Sequence, residues 1–463
     1  MLFASLTTPA QTISARLSVV SRTPARLRVE CERADGSKAW SFRRTYAGIM
    51  GLGERIENLS FSDAQGGEID VRKLAPGEYE AAREATKVRY EVKLDFPLDA
   101  NEAAHVSWLT EEGGMLMLGD LLPLPLARVR LNLILPDRWK AATLESRNAD
   151  GQYESENAES AIFFIAPDLR VTPHNIRGMK FKFATTGGWA FADQDVVGMC
   201  EDILKEHMRV IGGIPRKSAL VLLAPLPKLL DGGRWSAETR GGTVVFLSGH
   251  SATKAAGLAR LSVPLAHELL HLWSPNGLAL SGEYDWFYEG FTVYQSMRIS
   301  VRLGHLTFLE YLDSLSRAYD NYLSLRERDN LSLIDFSMRR WSGSGALIYN
   351  KGMLVAALYD LKVRERSHGQ RSLDDVYRTL FRQHKTGASV KEGNAAVTAA
   401  LDHVAGDRDF SKHFVESVNR IELRPLLERY GLKVGQRVTK TQIVAADSLS
   451  RAQRDLLRQM GYN

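Results

Sequence analysis

The sequence predicts a multidomain α+β fold with a β-rich N-terminal part, a mixed middle and a helical remainder, and three observations carry that reading. The chain has 463 residues, more than one hydrophobic core usually organises and enough for two to four domains. Its hydrophobic and charged fractions, 44% and 25%, are those of an ordinary globular protein and far from the signature of disorder. The period of its apolar residues changes along the chain, from two before about residue 170 to three or four after it.

The extreme N-terminus, Met1–Ala10, is weakly apolar without a positive start, and Thr8-Pro9-Ala10 has a faint likeness to an export cleavage site. It reads either as the stub of such a signal or as a frayed leader; the compartment leans to exported or periplasmic, with cytoplasmic kept open. From Thr12 to about Pro167 the pattern is that of strands. Val88, Tyr90, Val92, Leu94 and Phe96 alternate with Arg89, Glu91, Lys93 and Asp95, and Val129, Leu131, Leu133 and Leu135 repeat the motif. Turn signals at Pro76-Gly77, Gly113-Gly114 and Asp150-Gly151 separate the segments. Residues 1–170 are therefore expected to form an antiparallel β domain, a sandwich.

After Pro173 the pattern becomes mixed. Asp195–Ile211 places Val196, Met199, Cys200, Ile203, Leu204, His207 and Ile211 at helical spacing, and Gly212-Gly213 ends it. Ala219–Leu223 and Thr243–Leu247 read as short strands, and from Ser262 onward the chain reads as helix. Ser372-Leu373-Asp374-Asp375 has the form of a capping box. The domains expected are 1–170, 171–425 and a short segment, 426–463, with room for a strand or two and a final helix over Leu449–Met460.

Charge and composition exclude several functions. Sixty Lys and Arg against 55 Asp and Glu give a net charge of +5, too small to imply a nucleic-acid partner. Two cysteines, Cys31 and Cys200, exclude a disulfide framework and an all-cysteine metal site, and Cys200 sits among apolar neighbours as a core thiol would. The longest apolar stretch, Met115–Leu135, is broken by Asp120, Arg128 and Arg130, so no membrane span is expected. Oligomeric state is not legible.

Chemistry enters at His267-Glu268-Leu269-Leu270-His271, set in an apolar helical run. Positions i and i+4 share a helix face, so His267 and His271 can offer both imidazoles to one ion, with Glu268 beside it. Zinc suits such a donor set, since it takes imidazole nitrogen and carboxylate oxygen and keeps one position for water in a catalytic site. A third ligand is needed, and Glu289 in Trp286-Phe287-Tyr288-Glu289-Gly290-Phe291 is the candidate. Glu268 is placed to take a proton from water as general base. Trp273, Trp286, Phe287 and Phe291 read as packing around these helices.

These two motifs, with Tyr349-Asn350-Lys351-Gly352-Met353-Leu354 after them, resemble the gluzincin peptidases, in particular the glycyl aminopeptidase family and its leukotriene-hydrolase and alanyl-type relatives. The resemblance covers about residues 170–425. It implies a thermolysin-like catalytic domain, a small mixed sheet plus a helical half, holding one Zn²⁺ through His267, His271 and Glu289. It also implies peptide substrates and a role for Tyr349 as donor to the oxyanion of the tetrahedral intermediate.

Two departures bear on specificity. Arg240–Leu247 takes the place of the edge strand that the aminopeptidases use beside the substrate, yet lacks their Gly-x-x-Glu element; Glu238, Glu283 and Asp285 are possible substitutes. The PDZ domain common in the glycyl aminopeptidase relatives does not fit in 426–463. An aminopeptidase-like hydrolase is the leading expectation, a zinc endopeptidase or oligopeptidase the alternative, and a catalytically idle zinc-retaining peptide-binding module the non-enzyme alternative.

Overall fold

Alternation of apolar and charged residues before residue 170 produces strands with one dry face, as the period of two requires. In a computed structural model of the chain, which describes residues 12–343 and 345–462, the strand Glu78–Lys93 buries Val88, Tyr90 and Val92 and leaves Arg89 in solvent. The leader-like Met1–Ala10 lies outside the described residues. Glu78–Lys93 pairs antiparallel with Ala25–Ser41, Val29 opposite Tyr90, inside a nine-stranded sheet. That sheet is not wholly antiparallel, contrary to expectation: Thr12–Arg22 runs parallel to Arg128–Ile134, with Leu17 opposite Leu133. No hairpin joins those two strands, so their relative direction is set by packing and not by a turn.

The chain clusters into two units. The first comprises the chain up to Asn175, Lys180–Trp189 and Ser218–Ser251. Within it a four-stranded sheet contributes Leu116, Phe163 and Ile165 to the core of the large sheet. The alternate residues Met115, Met117, Ile162 and Phe164 join a second core with Leu220, Leu222, Val245 and Leu247. The small sheet is thus apolar on both faces, which explains the near-continuous apolar run Ile162–Ala166.

Those last four residues belong to a five-stranded sheet in the order 170–176, 179–185, 218–225, 243–248, 235–240. Both predicted strands, seen as Ser218–Pro225 and Thr243–Ser248, are present and pair in parallel. The edge reading needs correction. Thr243–Ser248 is an inner strand, and the edge is Trp235–Arg240, antiparallel to it. Gly241, at φ +54°, reverses the chain between them.

The second unit comprises Ile176–Met179, Ala190–Lys217 and Ala252–Asn463 and is mainly helical. Helix α1 (Asp193–His207) buries Val196, Cys200, Ile203, Leu204 and His207 of the predicted face, with Val197 added and Met199 half-buried. Burial pushes the Cys200 thiol up to about 12, as a core position requires. Ser372 and Asp375 form the expected capping box. The C-terminal segment holds the hairpin Leu432–Arg437/Lys440–Ala445 and a final helix, Arg451–Gln459. The last carbonyls of that helix, of Gln459 and Met460, accept from the buried Arg298 guanidinium at 2.8 and 2.5 Å. Among the described residues no helix is long and apolar enough to cross a membrane.

Candidate metal centre

Helix α2 (Lys254–Leu270) carries the first motif. Thr253 caps it by accepting from the backbone N–H of Ala256, and it tolerates Pro264 in its interior. His267 lies in its last turn and His271 is its C-cap. The two share a face, with their Nε2 atoms 3.0 Å apart and their rings nearly perpendicular at 88°. Beyond His271 the chain turns back, so that its Nδ1–H donates to the Ser274 carbonyl at 2.9 Å. That bond fixes the ring so that Nε2 is the atom facing His267.

Beneath this turn of α2 lies His207, fully buried, whose Nε2–H donates to the Ala266 carbonyl at 2.9 Å. Burial, only partly offset by that bond, lowers its pKa from 6.5 to about 4. The unfolded chain therefore takes up this proton first as pH falls. Stability that is complete above pH 6.5 is lost progressively toward pH 4, to a limit of about 3 kcal/mol. Urea midpoints measured between pH 7 and pH 4 should fall more steeply for the wild type than for His207→Gln, which keeps a donor and cannot titrate.

Glu289 sits on a wide, π-helical turn, Trp286–Phe291, that leads into helix α3 (Thr292–Arg302). Such turns widen the backbone by one residue and recur at functional sites. Its Oε2 is 3.2 Å from His267 Nε2 and 3.6 Å from His271 Nε2. Glu268 is buried, and one of its carboxylate oxygens lies within 4.8 Å of the imidazole donor atoms. Trp273, Trp286, Phe287 and Phe291 are all fully buried around these elements.

Two glycines bring the third motif in. A methyl group on Gly352 of helix α4 (Gly345–Arg366) would stand 2.7 Å from the Cα of Gly290, and one on Gly290 would stand 2.5 Å from the Ile348 carbonyl. Backbone meets backbone here, which only glycine permits. The contact sets Tyr349, one turn before Gly352, beside Glu289. Lys351, on the same turn, is buried with its Nζ 3.4 Å from the Leu331 carbonyl, and burial lowers it to about 8. Gly352→Ala is expected to destabilise the fold by about 1–3 kcal/mol through overpacking and to weaken metal retention with it. Denaturant midpoints and metal content after dialysis read the two effects.

One residue that the motifs do not indicate joins the cluster. Arg340 donates from Nη1 to Asp285 Oδ1 at 2.6 Å and from Nη2 to Tyr349 Oη at 2.9 Å, and Nη2 also forms an ion pair with Glu289 Oε1 at 2.9 Å. Burial and the nearby Glu289 push the Tyr349 phenol well above its ordinary pKa, so it is a proton donor at neutral pH. Burial works against charge on Glu289, but Arg340 and His271 outweigh it and hold the carboxyl well below its usual value. His271 is likewise lifted to about 9, Glu289 overcoming the effect of burial.

Three donor atoms spaced 3.0, 3.2 and 3.6 Å apart match the edges of a tetrahedron with bonds of about 2.0–2.1 Å, for which the edge is about 3.4 Å. Two imidazoles and one carboxylate are also a donor set that suits a divalent cation. The residues fit zinc. Of the acids considered for gripping a substrate amine, Asp285 is paired with Arg340. Glu238, in the first unit, lies on the edge strand itself, paired with Arg240 at 3.0 Å, with His105 at 2.8 Å and with the Tyr46 hydroxyl. The pairing of Glu238 with Arg240 and His105 holds it at about 2 despite its burial.

Residues 261–355 match the M61 glycyl aminopeptidase family. Among solved structures, an aminopeptidase N family protein from Idiomarina loihiensis superposes with a TM-score of 0.79 at 18% identity, over 92% of this chain and 79% of that one. An M1 zinc metallopeptidase from Deinococcus radiodurans superposes with a TM-score of 0.55 at 13% identity, over 89% of this chain and 95% of that one. A variant of it bound to a Tyr-Ser-Ala substrate gives 0.56 at 15%. No curated protein sequence matches the chain. The structural likeness establishes an aminopeptidase-like α+β fold, and the family match falls on the segment that carries all three motifs. Residues 261–355 are thus similar to the M61 glycyl aminopeptidases, and the chain as a whole is similar in fold to aminopeptidase N family and M1 zinc metallopeptidase structures.

Proposed function

We propose that the protein hydrolyses peptide bonds with one zinc ion held by His267, His271 and Glu289, in a thermolysin-like catalytic domain. The observation that carries this reading is the convergence of His267 Nε2, His271 Nε2 and Glu289 Oε2 to within 3.6 Å, with the Glu268 carboxylate beside them. Zinc bound there supplies Lewis-acid polarisation of a water and of a peptide carbonyl. Glu268 takes the proton of the attacking water and returns it to the departing amine. Tyr349 donates its hydroxyl hydrogen to the carbonyl oxygen as that oxygen becomes anionic, an interaction stronger in the transition state than in the ground state. His271, tied to the Ser274 carbonyl, keeps its Nε2 aimed at the site throughout.

An aminopeptidase-like specificity is the first reading, from the resemblance. A second, endopeptidase or oligopeptidase reading is favoured by the lack, in Arg240–Leu247, of the acidic Gly-x-x-Glu element with which the aminopeptidases it resembles hold a substrate amine. A matched peptide series with free and acetylated N-termini, assayed with zinc-loaded and chelator-treated protein, tests both. Stepwise cleavage of the free series alone supports the aminopeptidase, and cleavage of both series supports the endopeptidase. Cleavage of neither by stoichiometrically zinc-loaded protein would leave an idle binding module.

A further inference from the structure

The geometry points to Arg340 as the positioning residue of the metal centre: it holds Glu289 by one oxygen so that only the other faces the histidines, and it orients the Tyr349 phenol by the same Nη2. The inference rests on the zinc reading above. Glu289 has two oxygens with different partners. Oε1 takes the guanidinium at 2.9 Å, and Oε2 lies 3.2 and 3.6 Å from the two imidazoles. A carboxylate without such a partner can rotate and offer both oxygens to an ion, filling the position that a catalytic site keeps for water. Arg340 prevents that rotation, because its planar fork is itself fixed from behind.

The fixing is visible in its other contacts. Nη1 is bound at 2.6 Å to Asp285, a fully buried carboxylate that precedes Glu289 by one helical turn. The guanidinium carbon lies 4.4 Å from the Trp341 ring centroid and 5.8 Å from that of Tyr349. One cation thus joins the start of the π-helical turn, the third-ligand carboxylate and Tyr349 of α4. Arg340 Nη2 donates to Tyr349 Oη at 2.9 Å, so the phenol oxygen is an acceptor there and its own hydrogen points elsewhere. A lysine would keep the charge but could not serve three acceptors in one plane.

The test compares wild type, Arg340→Gln and Arg340→Lys in the full chain. Three quantities are read: zinc affinity by competition with a chromogenic chelator, the visible absorption of the cobalt(II)-loaded protein, and kcat and KM on a short peptide. Arg340→Gln is expected to lose about 10–100-fold in zinc affinity, the range seen when partners of metal ligands are removed. Its cobalt band should weaken as coordination rises above four. The kinetic loss should fall on kcat, with KM within about twofold of wild type. Arg340→Lys, which leaves no buried carboxylate uncompensated, should fold as wild type does and lie between the two; if the glutamine variant fails to fold, the lysine variant decides. Zinc affinities within about twofold of wild type and an unchanged cobalt spectrum in Arg340→Lys would overturn the assignment. A wild type that binds zinc but cleaves no peptide would sink the peptidase reading alone, because affinity and spectrum still report on Arg340. A wild type that binds no zinc would overturn both.

Discussion

Glu268→Gln is expected to retain zinc at wild-type stoichiometry and to lower kcat by about 10²–10⁴-fold, the share that a positioned general acid–base supplies. The side chain is buried in the last turns of α2, and glutamine is nearly isosteric, so neither packing nor the ligand set changes. What changes is proton affinity: an amide cannot take a proton from water nor hand one to a leaving amine. Metal content by atomic absorption and turnover on the preferred peptide, measured on the same preparation, separate the two. Wild-type turnover in the glutamine variant would remove Glu268 from the mechanism, and loss of zinc would move it among the ligands.

Tyr349→Phe is expected to lower kcat by about ten- to a thousandfold with zinc content unchanged, because it deletes one donor to the developing oxyanion. The phenol is beside Glu289 through the Gly290–Gly352 contact, and phenylalanine leaves that helix crossing intact. It also removes the hydrogen bond that Arg340 Nη2 gives to Tyr349 Oη while the ion pair with Glu289 Oε1 remains. An unchanged kcat would reduce Tyr349 to a spacer between α4 and the metal turn. Because Glu268 and Tyr349 act on the same transition state, the double variant should lose less than the product of the single losses.

Both predictions stand on residues that are legible in the one-dimensional chain, Glu268 by short-range geometry and Tyr349 by the resemblance of its motif. His267 and His271 share a face by helix geometry alone, so His-Glu-x-x-His announces two ligands wherever it forms a helix. Glu289 is legible as the acid that follows the histidine pair in Trp286–Phe291, and Tyr349 through the resemblance of the block Tyr349–Leu354, and each motif carries a glycine, Gly290 and Gly352. The structure gives those glycines a physical meaning: they are the two sides of one backbone contact. Strand alternation in Val88–Val92 and the capping box at Ser372 are likewise local, and both appear as read.

What the sequence by itself determined is therefore the set of residues whose geometry follows from one helical turn or one strand: the two imidazoles and their neighbouring carboxylate, the buried faces, and the α+β order of elements. Tertiary structure alone decided the pairings between distant segments. It made Trp235–Arg240 the sheet edge in place of Arg240–Leu247, set Thr12–Arg22 parallel to Arg128–Ile134, and spent Glu238 on Arg240 and His105. It also brought Arg340 to Asp285, 55 positions away, and so to Glu289. No periodicity marks such a partner, because the energy that selects it is that of a buried charge finding its counter-charge, and this acts only once the fold has brought the two together.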